Sequence, residues 1–79
     1  MTVNEFFEQA DENSTYAVKL AYRHSPSEKY TVSVEICQYC VGYDYIGWVW
    51  FSDWNEGEDD VVVLNYVDLD KLMEGGDSL

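Results

Sequence analysis

The chain has 79 residues, enough for one small domain, and carries 16 Asp and Glu against 4 Lys and Arg, a net charge of −12. Like charges repel, so nucleic acid and anionic membrane surfaces are excluded as direct partners, and a basic protein surface is the natural complement. With 47% apolar and 16% aromatic residues it is a folding sequence and not a disordered acidic tail, and at this length large side chains must do most of the burying.

Thr2-x-x-Glu5 fits a capping box, and Val3, Phe6, Phe7 and Ala10 follow at i, i+3, i+4 and i+7. This predicts an N-terminal helix that stops between Asp11 and Ser14, where Asp, Asn and Ser favour turns. Residues 15–23 alternate, with Tyr16, Val18, Leu20 and Tyr22 on one side. That is a half-buried strand. The stretch 24–28 around Pro26 is a turn, and residues 29–37 alternate again through Tyr30, Val32, Val34 and Ile36. Pairing Tyr22 with Tyr30, Leu20 with Val32 and Val18 with Val34 puts both apolar rows on one face, and a one-residue slip would undo it.

After a turn at 41–44, residues 45–52 form a third strand that is apolar on both sides and carries Trp48 and Trp50. The stretch 53–60 is acidic, and 61–67 is a fourth strand, again apolar on both sides. Residues 41–67 together read as a β-hairpin with an acidic tip. Asp68 then caps a short helix over 69–73, which Gly75-Gly76 ends. The expected architecture is α+β: a four-stranded, mainly antiparallel β-meander with an N-terminal helix packed on one face and a short C-terminal helix, in one domain over 1–79. One short helix covers one face of such a sheet. Strands apolar on both sides therefore ask for a partner or a second copy.

Catalytic and metal chemistry find little footing. Cys37 and Cys40 have C-x-x-C spacing, but a structural zinc needs two further ligands, and i, i+3 on a strand face opposite ways. The loop from Asp53 offers alternating oxygen ligands, yet the glycine and glutamate an EF-hand requires at its sixth and twelfth positions are replaced by Glu58 and Leu64. His24 is the only histidine and has no nucleophile at a recognisable spacing. We expect no enzyme, no metal and no cofactor. No basic region followed by an apolar run opens the chain, no apolar segment nears the ~20 residues of a membrane span, and two cysteines make no disulfide framework. A reducing cytoplasm is the expected location.

What remains is charge. Residues 1–40 hold six acids and three bases, net −3, and residues 41–79 hold ten acids and one base, net −9. A compact chain of this length is about 30 Å across, and duplex DNA of that length carries on the order of 18 phosphate charges. The charge density is thus within about a factor of two of DNA. The expected partner-binding residues are Asp53, Glu56, Glu58, Asp59 and Asp60, with Asp44, and with Trp54 and Tyr43 as exposed aromatic anchors. Asp68 and Asp70 would extend the acidic surface.

A short acidic chain that opens with the capped helix TVNEFFEQA and runs through short strands to VVVLNYVDLDKL resembles small proteins encoded by bacterial phages and mobile elements. Some of these are anti-CRISPR or anti-restriction inhibitors that mimic DNA and occupy nucleic-acid channels of host defence proteins. The resemblance lies in length, charge and layout. It implies a partner with a basic, nucleic-acid-binding surface. The alternative is a homodimeric structural or adaptor module whose acidity serves solubility.

Overall fold

The computed structural model describes residues 1–50, 54 and 59–77, the last four by backbone alone. The architecture is α+β. A seven-residue helix α1 (Val3–Gln9) precedes strands β1 (Thr15–Arg23), β2 (Thr31–Val41), β3 (Ile46–Trp50) and β4 (Asp60–Asp68), and helix α2 (Leu69–Asp77) follows. All strand pairs are antiparallel, in the order β3-β2-β1-β4.

Helix α1 begins as its sequence dictates. The Thr2 hydroxyl accepts the Glu5 N–H at 3.1 Å, and the Glu5 carboxylate accepts the Thr2 N–H at 2.9 Å. This box satisfies two of the N–H groups that a helix start leaves unpaired. The buried face is Val3 and Phe6, with Phe7 and Ala10 packed beside them. Phe6 has no exposed surface. Its ring meets Tyr16 of β1, Trp48 and Trp50 of β3 and Tyr66 of β4 at centroid distances of 5.0–6.2 Å. Phe7 stacks on Trp48 at 5.4 Å with 4° between the planes. Beneath them Val18, Leu20, Cys37 and Val63 complete the core.

Two details of the strand pairing differ from expectation. First, β3 and β4 form no hairpin. β1, β2 and β3 are a meander, while β4 pairs with β1, so that β3 and β4 lie on opposite edges. The spatial order 4-1-2-3 is that of a Greek key. Second, β1 and β2 pair one residue away from the apolar-row match: Tyr22 faces Thr31, Leu20 faces Ser33 and Val18 faces Glu35. Val32, Val34 and Ile36 therefore point away from α1, opposite Ala21, Lys19 and Ala17.

The remaining elements differ only at their bounds. Strand β2 runs on to Val41, which places Cys37 in the core and Cys40 on the other face. Helix α2 continues through Gly75-Gly76 to Asp77. Glycine weakens a helix by about 1 kcal/mol per residue but stops it only where the backbone turns left-handed. Gly47 is the one described glycine with positive φ, at 156°. The Tyr45 ring lies against it, and the Tyr45 hydroxyl donates to the Trp48 carbonyl at 2.9 Å. That contact closes the outer edge of β3. The outer edge of β4 is closed by Met1, whose ammonium donates to the Val63 carbonyl at 2.9 Å while its own carbonyl accepts the Val63 N–H at 2.8 Å. Among the described residues no helix is long and apolar enough to cross a membrane.

Candidate functional site

The order β3-β2-β1-β4 divides the expected acidic site. β4 starts beside the end of β1, so Asp59 and Asp60 lie at the end of the sheet that carries the 24–30 turn. Tyr43 and Asp44 lie in the β2–β3 turn at the opposite end, closed by the Gly42 N–H donating to the Tyr45 carbonyl at 2.8 Å. Ten residue steps along β2 separate the ends, roughly 33 Å. Both turn residues are exposed, Tyr43 fully so. Asp53, Glu56 and Glu58 lie outside the described residues.

Trp54 does not stand on the surface. It is 6% exposed and belongs to the core cluster, its ring 5.1 Å from that of Trp50. Because β3 and β4 occupy opposite edges, the chain must pass from one to the other, and at Trp54 it does so on the α1 side. The exposed anchor is corrected to a core residue.

Asp59 and Asp60 each hold a base from the strand end. The Arg23 Nε donates to Asp60 at 2.8 Å, the Tyr30 hydroxyl donates to the same carboxylate oxygen at 2.7 Å, and the Arg23 guanidinium stands 4.5 Å over the Tyr30 ring. The Tyr30 hydroxyl, followed by Arg23, holds the Asp60 carboxyl below the usual carboxylate range. This three-residue cluster escaped the sequence reading because it needs β4 aligned against β1. Alternation alone does not say which strand is the neighbour.

His24 Nδ1 lies 3.0 Å from the Asp59 carboxylate, with the imidazole 55% exposed and the carboxylate 8% exposed. The hydrogen bond to Asp59, followed by its charge, pushes the imidazole above its ordinary value of 6.5. A histidine–aspartate pair invites comparison with a catalytic triad. That chemistry needs a hydroxyl on the other imidazole nitrogen. Ser25 instead shares a hydrogen bond with Ser27 at 2.9 Å. Among the described residues no hydroxyl meets His24 and no three metal-ligating side chains come together. Cys37 and Cys40, on opposite faces of β2, cannot share an ion.

The pair has a pH signature. A base whose pKa is raised by folding stabilises the fold fully below its unfolded value, and the contribution is lost as pH rises through the folded value. The chain should therefore lose thermal stability as pH rises past the ordinary histidine value of 6.5 and through the raised one. The imidazole protons should titrate above 6.5 in an NMR series. Asp59→Asn should return the midpoint to the ordinary value and flatten the melting profile over that window. A wild-type midpoint at or below the ordinary value would contradict the pair.

Most other described acids serve the backbone. Asp68 is pushed up by burial, but the Lys71 N–H, Ser14 and the Asp70 N–H outweigh this and leave it below the usual range. Asp70 accepts the Thr15 N–H at 3.0 Å, which ties α2 to the start of β1. Glu8, Glu12 and Asp44 make no hydrogen bond or ion pair among the described residues and are exposed. Two ion pairs, Arg23–Asp60 and His24–Asp59, are all that the described residues form. The negative charge of the chain is largely uncompensated.

The sheet face turned away from α1 is the second candidate surface. It presents Val32, Val34, Ile36, Val49, Val62 and Val67, of which Val34 is 64% and Val32 57% exposed. Val32, Val34 and Ile36 are the apolar row of β2 that the sequence assigns to the covered face. No family model matches the chain, and no curated protein or solved structure does so either.

Proposed function

We propose that the chain is a non-catalytic acidic binding protein that occludes a basic surface of a nucleic-acid-handling protein, in the manner of a DNA-mimic inhibitor such as an anti-CRISPR protein. The observation that carries this reading is the uncompensated charge: 16 acids against 4 bases, with two ion pairs among the described residues. A field of that sign and density steers a basic partner towards the chain and repels nucleic acid itself. Asp53, Glu56, Glu58 and the exposed Asp44 and Tyr43 are the residues we assign to the contact. Asp59 and Asp60 add charge at the end of the sheet away from Asp44 and Tyr43, while holding His24 and Arg23.

The test is a pull-down from nuclease-treated bacterial extract, eluted by salt, followed by competition of the recovered protein between this chain and labelled DNA or RNA. Retention at moderate salt together with displacement of nucleic acid is the expected result. Glu56→Gln with Glu58→Gln, which leaves both strand-end ion pairs intact, should weaken binding at least about tenfold at low salt, the equivalent of about 1.4 kcal/mol. A recovered protein whose nucleic-acid binding is unaffected would overturn the reading, as would an affinity indifferent to salt.

A further inference from the structure

We infer that two copies of this chain associate through the open sheet face, and that added salt strengthens the association. The inference does not depend on the occlusion reading, since it concerns the apolar strand residues of the face turned away from α1 and none of the acids assigned to the partner contact except Asp60 at its end.

The first observation is the distribution of charge. The strand residues on the open face are 15, 17, 19, 21 and 23 of β1; 32, 34, 36, 38 and 40 of β2; 47 and 49 of β3; and 60, 62, 65 and 67 of β4. Among them Asp60 is the single acid, and it is ion-paired to Arg23 at 2.8 Å. In a chain with 16 acids, a sheet face with one neutralised acid at its end is a surface from which negative charge is excluded. Such a face is not shaped by electrostatics to receive a basic protein. Two copies can bring these faces together without burying an unpaired carboxylate, which would cost several kcal/mol.

The second observation is size. Four strands about 4.8 Å apart and about nine residues long outline roughly 500 Å² before side-chain relief is counted. That outline is of the order of the ~300–600 Å² of the largest apolar patch on a typical monomer, a patch that is often functional, and it is somewhat over half the ~800 Å² per partner of a standard interface. An interface of that size belongs with the weak, transient class, so the association is one to look for at high concentration.

The third observation is shape. A shallow depression of about 150 Å³ lies between β1, β2 and β4, lined by Ala17, Lys19, Val34, Asn65, Tyr66 and Val67. Val32 and Ile36 stand beside it, both exposed. A projection next to a hollow on one face is what a two-fold contact uses, each copy filling the other. Lys19, the one charge mid-face, has a stem long enough to carry its ammonium to the rim. The two sheets would stack about 10 Å apart with both α1 helices facing outward.

The sign of the salt effect follows. Each copy carries −12, so the pair repels at low ionic strength. Screening shortens that repulsion to about 10 Å at 0.1 M and about 3 Å at 1 M. Binding of a basic partner weakens with salt, whereas this association strengthens, which separates the two proposals in one titration.

Sedimentation velocity of the purified chain, from micromolar to several hundred micromolar and from low salt to 1 M NaCl, is the experiment. A monomer–dimer equilibrium whose dimer fraction rises with salt is expected. Val34→Glu places a carboxylate at the centre of the face and should hold the chain monomeric throughout. Val34 is exposed, so the variant should keep its melting temperature, and circular dichroism checks this. Independently of any variant, dilution of the labelled wild-type chain should shift the amide signals of Ala17, Val32, Val34 and Val67 and leave those of α1 unmoved. A monomer at the highest concentration in 1 M NaCl overturns the inference. So does a dimer that weakens with salt, or one whose shifts map to α1 or to the outer edge of β3.

Discussion

Phe6→Ala should leave the chain largely unfolded. A buried phenylalanine cut back to alanine loses the transfer energy of its ring and leaves a cavity, together about 3–5 kcal/mol. A domain of this size holds on the order of 4–12 kcal/mol in total. Phe6 is also the worst placed residue to lose, because its ring touches aromatic rings from β1, β3 and β4 at once. Closing the hole from Trp48, Trp50 or Tyr66 would mean moving an edge strand. The melting temperature should fall by about 15–30 °C, at roughly 4–8 °C per kcal/mol for a domain this small. Phe6→Leu keeps much of the volume and should cost less than half as much. A fall under about 5 °C for the alanine variant would mean that α1 is not the lid of the core.

The place of Phe6 on the apolar face of an N-terminal helix is legible in the sequence, and so is most of the element order; its central position among the rings is not. The capping box from Thr2 to Glu5 and the spacing from Val3 to Ala10 fix a helix by local chemistry alone, and local chemistry is what a sequence displays. The alternation of residues 15–23 likewise belongs to a strand wherever it is placed. Strand neighbours are a non-local property. Residues 41–67 look like a hairpin because consecutive strands usually pair and because an acidic run resembles a loop tip. Nothing in those residues records that β4 finds the free edge of β1.

The register of β1 on β2 is hidden from the sequence for a related reason. Matching the two apolar rows holds only if one face is covered and the other wet. The sheet is apolar on parts of both faces. Helix α1 is about 10 Å long at 1.5 Å per residue, too short to cover the outer half of β2. There the α1-side positions are Thr31, Ser33 and Glu35, and the Ser33 hydroxyl donates to Glu35 at 2.7 Å. The valines of that half take the opposite face. The same shift produces both the error in register and the surface on which self-association is proposed. The candidate acidic site fared worse than the fold, because a contiguous patch depends on which ends of the strands meet. Asp44 and Asp60 belong to opposite ends.

Trp54 separates a binding residue from a core residue by experiment. As an exposed anchor it would be lost without harm to the fold, and its removal would weaken partner binding alone. Buried against Trp50 within the core cluster, it should cost about 3–5 kcal/mol when replaced by alanine. Trp54→Phe is the more informative change. The Trp54 indole Nε1 is buried and has no hydrogen-bond partner among the described residues, and the same holds for Trp50. A buried donor without a partner costs about 1–3 kcal/mol of desolvation. Phenylalanine removes that donor while keeping an aromatic ring beside Trp50, so relief of the desolvation offsets part of the lost contact area. The phenylalanine variant should therefore lie within about 1.5 kcal/mol of the wild type in a urea titration, with the alanine variant well below it. If both variants lose the same large amount, the indole N–H is bonded in solution and its hydrogen bond is part of the core. If neither loses stability, Trp54 leaves the core and returns to the surface as a contact residue.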